Sequence, residues 1–298
     1  MGVPEIDAKT IVSAWSDCGW FGSNYTMNLY RGCSHGCIYC DSRSECYQID
    51  DFDTVRVKAD AARIVERDLK SKRKKGIVIT GSMSDPYNPL EARLRLTRRA
   101  LALIHRYGFG VAIDTKSSLV TRDIDRISAI SEATAACVSI TITTFDDAAS
   151  RAIEQNICPP SVRFRALEAL ARAGIDCGVL LMPILPFIND DPENVRRIAR
   201  AAADAGAKWV YPGGDFGLTM RSGQREHFLA HLPPALRRRY VDAYGGDYHC
   251  PSPRSVELWT ALREVADQRA LMCDMKSIAA HMRGTFDARA GEQITMPI

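Results

Sequence analysis

Long apolar runs are missing from this sequence. No stretch approaches the ~18 apolar residues of a membrane span, and the first residues, MGVPEIDAKTIVSAW, lack the basic start and apolar core of an export signal. A membrane protein is therefore not expected, and a cytoplasmic location is. Charge of one sign is also scarce: 39 Lys and Arg against 36 Asp and Glu leave a formal +3, too little to require a nucleic-acid partner. No nucleic-acid-binding module is recognisable, and no linker, repeat or low-complexity tract divides the 298 residues. With 46% hydrophobic and 25% charged residues disorder is excluded, and the chain is long enough for one large α/β domain or two small ones.

Cysteine, by contrast, is plentiful. Ten of them in a long chain without an export signal point to metal or catalysis, not to a disulfide framework. Six β-branched runs recur along the chain: TMNL (26–29), GIVITGS (76–82), GVAIDTK (110–116), CVSITITT (137–144), CGVLLMP (177–183) and KWVYP (208–212). Between them, helical spacing of apolar residues predicts helices near 58–74, 93–107, 123–132, 160–173 and 192–205. Strictly alternating strands and helices make a parallel sheet with helical crossovers the natural solution. A closed eight-unit barrel takes about 250 residues. Six units over 26–212 therefore predict an α/β fold of the partial (β/α)6, TIM-like kind. The expected organisation is an N-terminal lead-in over 1–25, a barrel over 26–215 and a C-terminal helical segment over 216–298, packed on the barrel and read from SGQREHFLAHLPPALRRRYVDAYGG and SPRSVELWTALREVADQRA.

The stretch YRGCSHGCIYCDSR places Cys33, Cys37 and Cys40 within eight positions, directly after the first strand. In a parallel barrel that is the carboxyl-terminal mouth, where such folds keep their chemistry. Structural zinc wants four ligands, commonly in two pairs. Here there is one Cys-x2-Cys with a third cysteine upstream, and Cys46 or His35 would have to complete the set. Three independent core cysteines fit poorly, because Ser34, His35 and Gly36 make the segment polar and loop-like. A [4Fe–4S] cluster held by three thiolates accounts for the missing fourth ligand by leaving one iron open.

The Cys-x3-Cys-x2-Cys spacing, with Tyr39 just before the last cysteine, resembles the signature of radical S-adenosylmethionine enzymes. With GSMSDPYNPLE, TKSSLVTRD, ITTFDD, LLMPILPFIND and FGLTMR, the chain looks like the spore photoproduct lyase-like branch over roughly residues 8–245. The resemblance implies a [4Fe–4S] cluster on Cys33, Cys37 and Cys40 whose open iron chelates S-adenosylmethionine. It implies reductive cleavage to a 5′-deoxyadenosyl radical that abstracts a substrate hydrogen, and an external one-electron reductant such as flavodoxin or ferredoxin. It also implies that backbone near Tyr39 faces the adenine, that Ser84 hydrogen-bonds the cofactor, and that Lys116 reaches the methionine carboxylate as a charge-assisted pair. A lysine ending a strand is otherwise a solvated terminus, and SDPYNP alone is a turn-rich loop.

One departure stands out. The lyases proper carry, in the loop after the second strand, a cysteine that returns a hydrogen atom to the product radical; TGSMSDPY has none. Lesion splitting by that route lacks its donor, which favours a small-molecule or peptide substrate. Nucleic acid remains the substrate class by analogy with the lyases, and a non-catalytic zinc-binding or nucleic-acid-binding protein is the alternative from another class. No additional cysteine-rich extension provides auxiliary clusters of the kind many peptide maturases carry. Cys250, in YHCPSP beside His249 and Tyr248, is a candidate substrate-side thiol or extra ligand, or simply a turn residue. Cys137 and Cys177 start strands and read as core, while Cys18, Cys46, Cys158 and Cys273 stay unassigned. The run KSKRKK (70–75) precedes the second strand, so it falls at the opposite pole from the cysteines and reads as a solvated helix end. Arg93, Arg95, Arg98 and Arg99 begin nearer the mouth and either meet phosphates or form a wet face, and LRRRY (236–240) is similarly ambiguous. Asn189 and Asp190 of PILPFIND are either substrate contacts or, for Asp190 or Asp191, a helix N-cap.

Overall fold

The computed structural model describes residues 3–16 and 19–295, with side chains through 290; Cys18 lies outside the described residues. Seven strands form the main sheet: β1 (Val12–Ala14), β2 (Tyr25–Met27), β3 (Ile77–Thr80), β4 (Gly110–Thr115), β5 (Ala136–Thr141), β6 (Asp176–Leu180) and β7 (Trp209–Tyr211). Their order across the sheet is their order in the chain, with β2 to β7 parallel and β1 antiparallel to β2. The six parallel strands are the six runs expected from the sequence, and the crossovers are α1 (Ala61–Ser71), α2 (Leu96–Arg106), α3 (Ile124–Ala133), α4 (Pro160–Arg172) and α5 (Pro192–Asp204). This is the partial TIM-like barrel.

Period-two alternation decides what each strand residue faces. Val111, Ile113, Val138, Ile140, Val179 and Leu181 point outward and pack with Leu101, Ile104, Ile130, Leu167, Leu170 and Ile198 of the surrounding helices. Ile77, Ile79, Ala112, Cys137, Leu180 and Trp209 point inward. Both faces are covered, so β4 and β5 are buried at all six positions, and the sequence shows continuous β-branched runs instead of polar alternation. The inward face is filled from two directions. Phe21 enters from the lead-in, and Ile278, Met282 and Phe286 enter from the last helix, which spans Met275–Thr295. Gly178 makes the room: a Cβ there would lie 2.4 Å from the Trp209 indole, whose Nε1 donates to Ser139 Oγ at 3.2 Å.

Three features depart from the sequence expectation. The lead-in is structured: it contributes β1 and the strand Glu5–Ile6, which joins a small sheet with Arg56–Lys58 and Tyr30–Arg31. The first barrel strand runs Tyr25–Met27, ending short of the expected 29. The C-terminal segment is not all helical, because Gly217–Thr219 pairs antiparallel with His249–Pro251 around the helices Gln224–Ala230 and Pro234–Tyr244; strands of three residues leave too short a pattern to read. Three of the four lysines of KSKRKK lie over aromatic rings at the amino pole, with Lys70, Lys72 and Lys75 set against Tyr107, Tyr25 and Phe109. Among the described residues no helix is long and apolar enough to cross a membrane.

Candidate active site

The chain leaving β2 folds back over the carboxyl-terminal end of the sheet, and glycine makes the turn. At Gly32 (φ +81°) a Cβ would lie 2.5 Å from the Thr54 carbonyl oxygen, and Gly36 (φ +68°) packs its Cα against Asn156. The cysteine segment is then tied to the loop after β5. Ile38 N–H donates to the Ile153 carbonyl at 3.0 Å, Asn156 N–H to that of His35 at 3.0 Å, and Asn156 Nδ2 to that of Ser34 at 3.1 Å. Beneath the segment lies a fully buried ion pair, Arg163 Nη2 to Glu154 Oε2 at 2.6 Å. Glu154 also accepts from the Tyr39 hydroxyl and from Ser150 Oγ, while Arg163 donates to the carbonyls of Thr141 and Cys158.

This arrangement brings Cys33, Cys37 and Cys40 to the wall of one cavity of about 100 Å³, together with His35, Ser84, Asp85, Asp114, Lys116 and Thr141. All three thiols are free. Burial, reinforced by the charge of Asp85, pushes the Cys33 thiol up to about 11, and burial raises Cys37 and Cys40 against the pull of Lys116. The thiols therefore keep their protons until a metal displaces them. Burial opposes the Lys116 charge as well, but the Glu154 and Asp85 carboxylates, and Cys37 and Cys40 once they are thiolates, outweigh that and hold its pKa above the ordinary lysine value. Its Nζ stands 5.7 Å from the centre of the Tyr39 ring.

The loop after β3 is fastened to the end of β4 by Asp85. Its Oδ1 accepts from Thr115 Oγ1 at 2.7 Å and Tyr87 N–H at 2.8 Å, its Oδ2 from Lys116 N–H at 2.8 Å, and His35 Nδ1 lies 3.5 Å away. Gly81 (φ +107°) permits the approach, since a Cβ there would fall 1.9 Å from the Asp114 carbonyl oxygen. Ser84 Oγ donates to the Gly32 carbonyl at 2.6 Å, which leaves its lone pairs free to accept. The Tyr39 carbonyl accepts from Gln224 Nε2 at 3.2 Å, so the backbone there is held in place. Asp114, inward on β4, accepts from Trp20 Nε1 at 2.9 Å through Oδ2, and its other oxygen has no partner. Burial pushes its carboxyl up to about 7, against the opposing Trp20 hydrogen bond and Lys116 charge.

Other sequence candidates fall elsewhere. Cys250 is fully buried in the C-terminal hairpin, with Sγ 3.6 Å from the Asp247 carbonyl, and lines no part of the thiol cavity. Cys46 is exposed and engaged by Ser44 Oγ at 2.7 Å and Arg221 Nη1 at 3.2 Å, away from the cavity. Cys137 and Cys177 are buried in β5 and β6, and Cys158 lies 3.4 Å from the Lys116 carbonyl. Asn189 and Asp190 bind within their own loop and its neighbours: Asn189 donates to the Thr143 carbonyl and accepts from Leu185 N–H, and Asp190 accepts from Phe187 N–H and Ser252 Oγ. Asp191 holds the N-cap position of α5 without a side-chain capping bond, its carboxylate facing Arg254 Nη1 at 3.4 Å instead. Arg98 pairs with Asp123 and Asp125, and Arg239 of LRRRY stacks on Phe187 at 3.9 Å. The sequence reading missed Asp85, Asp114, Glu154 and Arg163. Only Asp85 left a signal, an Asx turn inside SDPYNP.

Three clustered thiols, Cys37 buried and Cys33 and Cys40 half-buried, beside a retained ammonium suit a cluster that takes three thiolates from the protein and leaves a corner for an anionic ligand group. Among the described residues no three His, Cys, Asp or Glu side chains gather around one metal position. Fold and donor set thus define a partial barrel with three thiols and an ammonium gathered at one cavity of its mouth.

The chain belongs to the radical SAM superfamily, whose family model matches residues 27–216. Membership implies a [4Fe–4S] cluster and S-adenosylmethionine, and it supports an enzyme over the non-catalytic zinc-binding reading. The uncharacterized protein Rv2578c of Mycobacterium tuberculosis is 32% identical over 263 residues, covering 85% of this chain and 76% of that one. The uncharacterized protein MJ0683 of Methanocaldococcus jannaschii is 33% identical over 172 residues, 57% and 63% of the two chains. A spore photoproduct lyase variant with bound AdoMet and dinucleoside spore photoproduct shares the fold, with a TM-score of 0.63 at 13% identity over 90% of this chain and 84% of that one. The radical S-adenosylmethionine methyltransferase TsrM of Kitasatospora setae gives 0.57 at 12% identity over 90% and 61%.

Proposed function

We propose that this protein cleaves S-adenosylmethionine reductively and uses the resulting 5′-deoxyadenosyl radical to abstract hydrogen from a substrate. The observation that carries the reading is the meeting of Cys33, Cys37, Cys40, Ser84 and Lys116 at one cavity. When bound at the three thiols, a [4Fe–4S] cluster supplies the electron for that cleavage. Lys116 offers its ammonium to the methionine carboxylate, and Ser84 offers an acceptor to the amino group. Asp85 holds both elements in register, and the Glu154–Arg163 pair holds the cysteine segment. The buried Tyr39 ring lies beside the Lys116 ammonium.

On the substrate side, the loop Gly81–Asp85 contains no thiol, and Cys158 does not line the cavity. A hydrogen atom is therefore not returned to product from that loop, which supports a small-molecule or peptide substrate over lesion splitting. The test is 5′-deoxyadenosine formation by anaerobically reconstituted, reduced protein, with and without UV-irradiated DNA. Cys37→Ala is expected to lose bound iron and all product. Lys116→Met is expected to keep its iron and bind S-adenosylmethionine at least ~10-fold more weakly, the scale of one charge-assisted pair. Full cleavage by Cys37→Ala would refute the assignment, and stimulation by the DNA would restore the repair reading.

A further inference from the structure

A second cavity lies on the far side of the Ser84 loop from the thiols. It shares Met83 and Ser84 with the thiol cavity and is bounded by Ile6, Ile49, Arg31 and Lys58. Its two cations come from rigid backbone, the small sheet in which Tyr30–Arg31 and Arg56–Lys58 run antiparallel. In that pairing Tyr30 stands opposite Val57 and both are buried, so strand alternation turns Arg31, Arg56 and Lys58 together to the other face.

Three cations side by side normally share acidic partners, and elsewhere in this chain arginines do: Arg98, Arg122, Arg163 and Arg254 each meet a carboxylate within 3.0 Å. On this face no carboxylate lies within 4.0 Å of Arg31, Arg56 or Lys58 among the described residues. Arg31 and Arg56 donate only to the backbone carbonyls of Gln48 and Asp50. Lys58 is half-buried, and both that burial and the neighbouring Arg31 charge disfavour its ammonium. Asp7, the one carboxylate in the cavity lining, is exposed. Arg31 is exposed at the rim, so the uncompensated cost falls on Lys58, whose half-buried ammonium beside a like charge is unfavourable unless an anion enters. The apolar walls lower the local dielectric, so an entering anion is held more firmly than on an open surface.

We propose that this cavity is an anion subsite that takes a phosphate group between Lys58 and Arg31, anchoring a phosphorylated substrate whose reactive part reaches past Ser84 into the thiol cavity. The shared Met83 and Ser84 wall sets that path. The positive charge exceeds what one carboxylate needs, and a phosphate brings the charge and the acceptor oxygens that two cations and their sheet-fixed spacing can use.

The experiment is calorimetric binding of thymidine 5′-monophosphate, thymidine, inorganic phosphate and a thymidine hexanucleotide to the full chain, reconstituted anaerobically. The monophosphate is expected to bind at least ~10-fold more tightly than thymidine, and Lys58→Met to lose that difference, while Arg63→Met, which removes an exposed cation paired with Asp60, keeps it. Equal affinity for the monophosphate and inorganic phosphate identifies a small phosphorylated ligand. Tighter, steeply salt-dependent binding of the hexanucleotide identifies a nucleic-acid strand. Either outcome supports the site. Equal binding of thymidine and its monophosphate, or full retention of the difference by a Lys58→Met chain with wild-type melting behaviour, overturns it. The same titration on Cys37→Ala separates this inference from the cofactor reading, because phosphate binding there survives the loss of iron.

Discussion

Asp114 is a carboxyl that the fold keeps at a cost. Its pKa near 7 in the folded protein lies far above the 3.8 of a solvated aspartate because burial disfavours its charge. Folded chains therefore hold a proton that unfolded chains have already lost between about pH 4 and pH 7. The sign follows directly: the contribution to stability is complete below about pH 4, falls as pH rises, and is gone above about pH 7. The gap corresponds to at most about 4 kcal/mol. Denaturant titrations of the iron-free protein across this range are expected to show wild-type stability falling relative to Asp114→Asn, with the difference levelling above pH 7; a constant difference would mean that the carboxyl is charged throughout. None of this was legible in the sequence, where AIDTK reads as a strand ending in a lysine. Lys116 could be placed at the mouth because it ends the run, but the inward turn of Asp114 depends on which face the last helix fills.

At the scale of elements, strands and helices were the most readable part, since continuous β-branched runs and 3.6-residue spacing are strong local signals. The cysteine segment was readable for the same reason, being a compact motif after a strand. Contacts made across the chain were not. Glu154 pairs with Arg163 and Tyr39 through folding alone, and no local pattern marks a glutamate that follows a seven-residue helix. Gly178 is a further case, because inside the run CGVLLMP it looks like a weakness in a strand. The fold uses it as the socket for Trp209, and Gly178→Ala is expected to push the indole from its place and break its bond to Ser139. Overpacking of this kind costs about 1–3 kcal/mol, read as a lower melting temperature with a shifted tryptophan emission. An unchanged melt and spectrum would mean the ring has another place to sit.

At the scale of the whole molecule, an open six-strand barrel must close its inner face with something other than more strands. Here the first and last segments do it together, Phe21 meeting Ile278, Met282 and Phe286 inside the sheet. The C-terminal helix is thus part of the core. Met282→Asp buries an unpaired charge and is expected to cost several kcal/mol in urea unfolding, while Lys276→Asp on the exposed side of the same helix stays near wild type; equal effects would argue that the helix only rests on the barrel. The cysteine segment is built in the same spirit, with its turns, its backbone bonds to residues 153–156 and its buried ion pair all made by the protein itself. Zinc fingers, by contrast, have no fold until their metal arrives. On the proposed reading, loss of the iron would remove a replaceable part and leave these contacts in place, so recovery would run at the pace of iron and sulfide delivery without new synthesis of the protein.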